Sequence, residues 1–384
     1  MKTRTTHTEY AHAKVNLCLA VQYPPINGYH KLDSVFQELS LCDILSFEFV
    51  KRDDDECARE DTGETGKGKG CEREGTGGED SGGGACEGTS GVDDCETDDG
   101  AFWQHGTTAA GTHVALNCAG IGETPIEKNL IFKAIDLMER AHGKALCDFL
   151  DCGNDDDCNE DGEDTSTNCR ELELRIDVEK HIPAGGGLGG GSSDAAACIR
   201  AFSKFAKLDI LCEKNLEVAR GLGADVAFFL YGGCALMTER GDVLVKKLPS
   251  FPLKIVLMGS CGHCNTGEVY SRFDNAPLPA ADAQGLADAI ESYESADSSP
   301  IAKSLAAYFL ANQCANNLQE AAFETLPILR ERISAACEHE AVLNALVTGS
   351  GATSYAICAN DEHAQEFAKY AKGFCDWVEV VDAL

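Results

Sequence analysis

The stretch HIPAGGGLGGGSSDAA, residues 181–196, sets the reading of the chain, because six of the seven residues from 185 to 191 are glycine. Glycine loses more backbone freedom on folding than any other residue, so a dense cluster marks backbone that must turn tightly or come close to a ligand. A flexible linker would repeat Ser and Gly between polar flanks. Here the apolar alternation ELELRIDVEK precedes the cluster and the helical spacing DAAACIRAFSKFAKL follows it, which gives the order strand, glycine loop, helix. A Walker A loop requires a lysine after its last glycine, and none follows here. A dinucleotide fingerprint can be drawn through Gly185, Gly187 and Gly190 with Asp209 as ribose partner. However, HIPA separates strand from loop, and KLDILCEKN does not read as a second parallel strand. The remaining reading is a phosphate cradle of another kind. Bare amides wrap an anionic chain, Ser192 and Ser193 cap the following helix, and a serine hydroxyl is available to a nucleotide-borne Mg²⁺.

Outward from the loop, HAKVNLCLAVQY alternates as a strand, and SVFQELSLCDILSFEFV reads as one or two more with a helical or irregular start. THVALNC is a strand and KNLIFKAIDLMERAHG a helix. GADVAFFLYGGCALMTERGDVLVKKL reads as a buried helix or turn followed by a hairpin. A boundary falls near Pro249–Pro252, dividing a lobe over 1–248 from a lobe over 249–384. In the second lobe LKIVLMG and VLNALVTGSGATSYAIC are strands, and QGLADAIESYES, SLAAYFLANQ and HAQEFAKYAKGF are helices. Strands and helices mixed without regular alternation predict an α+β fold.

The chain of 384 residues has a formal net charge of -32, which argues against nucleic acid or an anionic membrane as partner. Residues 51–104 hold 17 acidic and 6 basic residues and residues 147–169 hold 9 acidic and none basic, so these two segments supply -20 of that charge. Both are poor in aliphatics and are expected to be loosely ordered insertions. The N-terminus has no apolar run followed by a small-residue cleavage site, no segment approaches the ~20 apolar residues of a membrane span, and a cytoplasmic setting with reduced thiols is expected. Of the 20 cysteines, several (Cys18, Cys42, Cys198, Cys234, Cys358) sit in apolar stretches as small hydrophobes.

PAGGGLGGGSSDAA resembles the second motif of the galactokinase, homoserine kinase, mevalonate kinase and phosphomevalonate kinase (GHMP) superfamily. AHAKVNLCLAV, NGYHKLDSVFQELSLCD, LGADVAFFLYGG, NTGEVYSRFD and TGSGATSYAI narrow the resemblance to the kinases of 4-diphosphocytidyl-2-C-methyl-D-erythritol, over nearly the whole chain except the acidic insertions. The resemblance implies a two-lobed GHMP-kinase-like fold, ATP and Mg²⁺ as cofactors, and a small-molecule alcohol as substrate, with the chain a monomer or homodimer. Asp225 is implied as general base and Lys14 as its neighbour, holding Asp225 ionised and stabilising the developing alkoxide. Each lies in an apolar surrounding where an unpaired charge is costly, so the two are expected to pair. Nucleotide contacts are implied at Pro183, Gly185, Gly186, Gly187, Leu188, Gly189, Gly190, Gly191, Ser192 and Ser193, with Ser192 on the metal and Asn129 near the adenine. Substrate contacts are implied at Asn16, Tyr29, His30, Thr266, Tyr270, Gly349 and Gly351, with Tyr29, His30 and Tyr270 around the cytosine.

Two other patterns compete for attention. Cys261-Gly-His-Cys264 has the spacing of half a zinc site, but no second pair stands at zinc spacing, so loop cysteines are expected. Asp157-x-Asn159-x-Asp161-Gly162 begins like a calcium loop, yet Asn168 stands where a bidentate glutamate is needed.

Overall fold

The computed structural model describes residues 6–51, 95–96, 102–118, 125–146, 149, 172–259, 262–293 and 299–384. The acidic segments therefore lie outside the described residues, apart from Lys51, Cys95–Glu96, residues 102–104 and residue 149. The calcium-like run and Cys261 also lie outside.

The strands are β1 (Thr6–Val21), β2 (Leu32–Lys51), β3 (Cys95–Glu96), β4 (Phe102–Thr107), β5 (His113–Cys118), β6 (Leu172–Glu179), β7 (Cys234–Thr238), β8 (Val243–Leu248), β9 (Lys254–Gly259), β10 (Ala315–Asn316), β11 (Val342–Val347), β12 (Ser354–Cys358) and β13 (Trp377–Val381). The helices are α1 (Leu130–His142), α2 (Gly190–Phe205), α3 (Glu213–Leu222), α4 (Ala224–Tyr231), α5 (Thr266–Asn275), α6 (Ala283–Tyr293), α7 (Pro300–Gln313), α8 (Gln319–Thr325), α9 (Ile328–Cys337) and α10 (Asp361–Ala371).

One sheet runs β10-β1-β2-β6-β5-β4-β3, with β7 on β2 and β8 on β7; a second runs β11-β12-β9-β13. The long strand β2 makes this possible. Its first part, Ser34–Gln37, pairs with β7, and its second part, Ile44–Lys51, pairs with β6. The expected irregular start is thus regular strand from Leu32, because β1 pairs with it from Thr6 to Val21. Burial along β1 alternates at first and then becomes continuous from Ala13 on, as befits a strand covered on both faces.

Three apolar clusters fill the layers. One lies between the large sheet and helices α1 to α4, where the fully buried run Ala195, Ala196, Ala197 and Cys198 brings α2 close to the strands. The second joins the two halves, packing Ala13, Val15 and Leu17 of β1 against Ile255, Leu257, Tyr355 and Ile357 of the second sheet. The third backs the second sheet with α5, α8, α9 and α10. Cys18, Cys198, Cys234 and Cys358 are free thiols that sit in these cores, while Cys42, also free, is only half-buried. The fold is α+β, as the strand and helix pattern implied.

Candidate active site

The glycine stretch is less a loop than a helix start. Helix α2 begins at Gly190, inside the cluster, and its N-cap is Gly189 at φ 77°, a left-handed conformation that glycine adopts without strain. Ser192 and Ser193 are therefore in the first turn and not at the cap. The amide of Ser193 already donates to the Gly189 carbonyl, while the amides of Gly190, Gly191 and Ser192 come first in the helix and have no partner within it. No Cβ shields Gly190 or Gly191, so this is a bare anion cradle at the positive end of a helix. Ser192 lines the adjoining cleft, whereas Ser193 is fully buried and its Oγ has no hydrogen-bond partner among the described residues.

The stretch before the helix packs against the second glycine turn, Thr348–Thr353. The Thr353 amide donates to the Gly186 carbonyl at 3.2 Å, and a Cβ on Gly187 would lie 2.6 Å from the Thr348 carbonyl oxygen. His263, from the second half, closes over Gly185, where a Cβ would lie 2.8 Å from Nδ1. Gly349 faces the cleft; Gly351 lies beneath the turn against Cys264 and Val347.

A cleft of about 710 Å³ opens in front of this cradle, within the range of ordinary ligand sites. Lys14 and Asn16 reach it from β1, between two register shifts against β2 at His12/Lys14 and Asn16/Cys18. Bulges of this kind re-aim side chains next to active sites. Asp225 reaches it from the first turn of α4. The expected pair forms: Lys14 Nζ is 3.4 Å from Asp225 Oδ2, with Lys14 4% and Asp225 31% exposed. The buried ammonium also donates to Asn16 Oδ1 at 2.8 Å and lies 5.2 Å from the centre of the Phe36 ring. Asn16 Nδ2 donates in turn to Ser34 Oγ, Ser34 Oγ to the Cys18 carbonyl, and the Asn16 amide to Thr348 Oγ1. The Tyr355 hydroxyl, itself fully buried, donates to the Asn16 carbonyl. Both side-chain ends of Asn16 are thereby engaged, so that it links Lys14 to Ser34 at the edge of the cleft.

On the other wall Tyr270 lines the cleft, its phenol pushed up to about 12 by burial and by the nearby Asp225 charge. The His30 ring stands 5.3 Å from that of Tyr270, held by a contact from Nε2 to Asp274 at 3.0 Å and one from Nδ1 to the Gln22 carbonyl at 2.8 Å. Thr266 lines the cleft and hydrogen-bonds Ser350 across the second glycine turn. Tyr29 is 65% exposed at the end of a tight turn, paired with Ile26 through both backbone groups, and does not line the cleft. Asn129 also lies outside the lining; it is the N-cap of α1, accepting from the Ile131 amide, and Leu130 beside it reaches the cleft.

Two features of the cleft were not legible from motifs. Arg240, on the β7–β8 turn, brings a guanidinium to the cleft and is anchored to Asp242 at 2.7 Å. Beneath the glycine cradle, Lys180 is gripped by Asp43 and, at 2.7 Å, by Asp194. Asp43 Oδ1 accepts the amides of His181 and Ile182, so this clamp pins the segment that leads into the glycines. Burial and the neighbouring Asp43 push the Asp194 carboxyl up to about 6 against the pull of Lys180. Burial opposes the charge on Lys180, yet its two carboxylates outweigh that and raise it.

Comparison with known proteins agrees with this geometry. The GHMP kinases N terminal domain matches residues 129–233, and the GHMP kinases C terminal domain matches residues 302–376. A 4-diphosphocytidyl-2-C-methyl-D-erythritol kinase of Exiguobacterium sibiricum is 33% identical over 216 residues, 55% of this chain and 69% of the relative. The kinase of the same name from Enterococcus faecalis is 25% identical over 378 residues, 98% of each chain. A crystal structure of 4-(cytidine 5'-diphospho)-2C-methyl-D-erythritol kinase superposes with a TM-score of 0.59 at 22% identity, covering 98% of this chain and 100% of the other. With the phosphate cradle, the lysine–aspartate pair and these relatives in agreement, the chain belongs to the GHMP kinases, among the 4-diphosphocytidyl-2-C-methyl-D-erythritol kinases.

Proposed function

We propose that the chain transfers the γ-phosphate of ATP to the 2-hydroxyl of 4-diphosphocytidyl-2-C-methyl-D-erythritol, in the non-mevalonate route to isoprenoids. The observation that carries the chemistry is the Lys14–Asp225 pair, 3.4 Å apart at the cleft in front of the cradle. Phosphoryl transfer asks a protein mainly for positioning and charge stabilisation. The Asp225 carboxylate, open to the cleft, takes the proton of the attacking hydroxyl. Lys14, buried and fixed by Asn16, pairs with that carboxylate and offsets the charge growing on the alkoxide. The free amides of Gly190, Gly191 and Ser192 hold the phosphates.

Ser192 Oγ fits a divalent cation carried in on those phosphates better than a resident one, since no cluster of three or more His, Cys, Asp or Glu suited to a metal occurs among the described residues. Such a cation, when bound, neutralises phosphate charge. Tyr270, with His30 behind it, offers a stacking face for a cytosine, and Arg240 a cation for the substrate's diphosphate. We place the division between the lobes at 248/249. No described helix is long and apolar enough to cross a membrane, and a cytoplasmic enzyme is the setting we propose.

The test is ADP release with Mg-ATP and the cytidine substrate, beside mevalonate and homoserine, with Asp225→Asn as control. Turnover with the cytidine substrate alone, reduced by about 10²-fold or more in the variant, is expected. Turnover with another alcohol keeps the phosphotransfer and refutes the assignments of His30 and Tyr270. No turnover with any of the three refutes the reading.

A further inference from the structure

Behind the glycine cradle lies a buried charge cluster that the phosphotransfer chemistry does not use. The β2–β6 ladder ends at the pair Ile44–Glu179, and residues 180–182 leave the sheet on their way to the glycines. Amides that lose their ladder partners inside a protein need another acceptor. Asp43, next on β2 and fully buried, supplies one. Its Oδ1 accepts the His181 amide at 2.6 Å and the Ile182 amide at 2.8 Å, while its Oδ2 accepts from the Lys180 ammonium. The His181 ring adds a contact from Nδ1 to the Cys42 carbonyl at 2.9 Å. The same ammonium donates at 2.7 Å to Asp194 Oδ2, one turn into α2 from Gly190.

We propose that Asp43, acting through Lys180 and Asp194, is a positioning residue for the nucleotide: it holds the glycine run in its phosphate-binding shape before any nucleotide arrives. This role rests on the reading of that run as the ATP phosphate site. Asp43 Oδ2 lies 3.6 Å from where a Cβ on Gly190 would stand, so the carboxylate sits directly behind the first residue of α2. It does not line the cleft and is fully buried, so it acts only through what it holds. Its anchors bracket the run, with Lys180, His181 and Ile182 before the glycines and Asp194 after them. The bulge that aims Lys14 begins at the His12–Cys42 pair, one residue along β2 from Asp43. One irregularity of β2 thus stands beside both the lysine and the clamp.

Entropy explains why such a run needs holding. Six of residues 185–191 are glycine, and glycine has the most backbone freedom to lose. A run left loose must be ordered by its ligand, and apparent affinity falls with the fraction of molecules already in the binding shape. The choice of residues points the same way. Two carboxylates and one ammonium are buried together, and Asp194 Oδ1 has no hydrogen-bond partner among the described residues. Apolar side chains of similar volume often stabilise a fold as well as a buried ion cluster does. They offer no directed acceptor for the amides of His181 and Ile182, and that acceptor is what fixes the backbone as it enters the glycines.

The experiment compares the full chain with Asp43→Ala and Asp43→Asn; asparagine keeps an acceptor oxygen for the two amides and alanine removes it. Binding of Mg-AMP-PNP, read by isothermal titration calorimetry with no acceptor alcohol present, should weaken by roughly 10- to 100-fold in Asp43→Ala and by less than about fivefold in Asp43→Asn. KM for ATP should rise in step, while kcat at saturating ATP and KM for the alcohol stay within about threefold. Amide hydrogen exchange across residues 180–193 of the free protein should quicken in Asp43→Ala and return to the wild-type rate when the analogue saturates it. A role in stability alone would lower Tm and leave the affinity of the folded protein unchanged. Asp194→Ala, which cuts the tie to α2, decides the matter if Asp43→Ala fails to fold, and the same split between KM and kcat is expected of it. Analogue affinity equal to wild type in the alanine variants overturns the proposal, as does a loss of kcat that saturating ATP does not restore. A wild-type protein that binds no analogue refutes the phosphate site itself, and this role with it.

Discussion

Two glycines of the cradle, four residues apart, respond to the same methyl group in opposite ways. Gly187 lies at φ 77°, and a Cβ there would stand 2.6 Å from the Thr348 carbonyl oxygen and 3.3 Å from that of Gly351. The Thr348 oxygen is not free to retreat. The Gly351 amide donates to the Thr348 carbonyl, the Thr348 amide to the Thr353 carbonyl, and the Thr353 amide to the Gly186 carbonyl. Alanine at 187 costs roughly 1–2 kcal/mol for the left-handed backbone and roughly 1–3 kcal/mol for overpacking against rigid atoms. Destabilisation of about 2–5 kcal/mol follows, a fall in Tm of about 3–6 °C for a chain of this length.

At Gly191 the nearest atom to a Cβ is Leu130 Cδ1 at 3.8 Å and the backbone is helical, so alanine is neutral or stabilises by up to about 1 kcal/mol. Its methyl instead fills the cradle. Loss of one close amide–phosphate contact, about 1.5–3 kcal/mol for a hydrogen bond to a charged group, raises KM for ATP by roughly 10- to 150-fold. Differential scanning fluorimetry and steady-state ADP release separate the two effects. A Gly187→Ala protein that melts with the wild type, or a Gly191→Ala protein with unchanged KM for ATP, refutes the account of the cradle.

Other outcomes follow from the walls and floor of the cleft. Tyr270→Ala should raise KM for the cytidine substrate by roughly 5- to 150-fold, the worth of one base stack, and leave KM for ATP within about threefold; equal rises in both would deny the stacking role. Arg240→Ala should raise the same KM and flatten its dependence on ionic strength, and a salt dependence identical to wild type would remove Arg240 from the diphosphate. The Asp194 carboxyl is raised to about 6 in the folded chain from an ordinary 3.8, so between those values the folded state holds more protons than the unfolded one. Stability contributed by this group therefore falls as pH rises from about 4 through 6. Asp194→Asn should lose that slope in urea unfolding, and a slope equal to wild type would show that another group sets it.

What could be read from residues alone was chemistry held within one short segment. The glycine run has its strand before and its helix after, and Lys14 and Asp225 each lie in an apolar setting that demanded a partner, which each finds in the other. The details that escaped reading depend on pairing distant strands. Asp43 is 137 residues from Lys180, and only the β2–β6 ladder, which pairs Ile44 with Glu179, sets the two side by side. The bulges that aim Lys14 and Asn16 are a property of β1 against β2 and leave no mark on either strand alone.

Two residues outside the cleft lining carry local signals for the places they take. Asn27-Gly28, at φ 53° and 82°, is the pair that favours a two-residue reverse turn, and it lifts Tyr29 out to 65% exposure. Asn129 before an apolar helical run is a capping residue by chemistry, and capping is what its side chain does. The helix start inside the glycines has the same logic. A serine cap would have spent its hydroxyl on an amide that the cradle keeps open for phosphate. Gly189 makes the turn by backbone conformation alone and leaves the first amides bare. The seven-residue cluster is thus two devices in one: positive-φ glycines that let the chain pack under the Thr348 turn, then helical glycines whose absent side chains form the site.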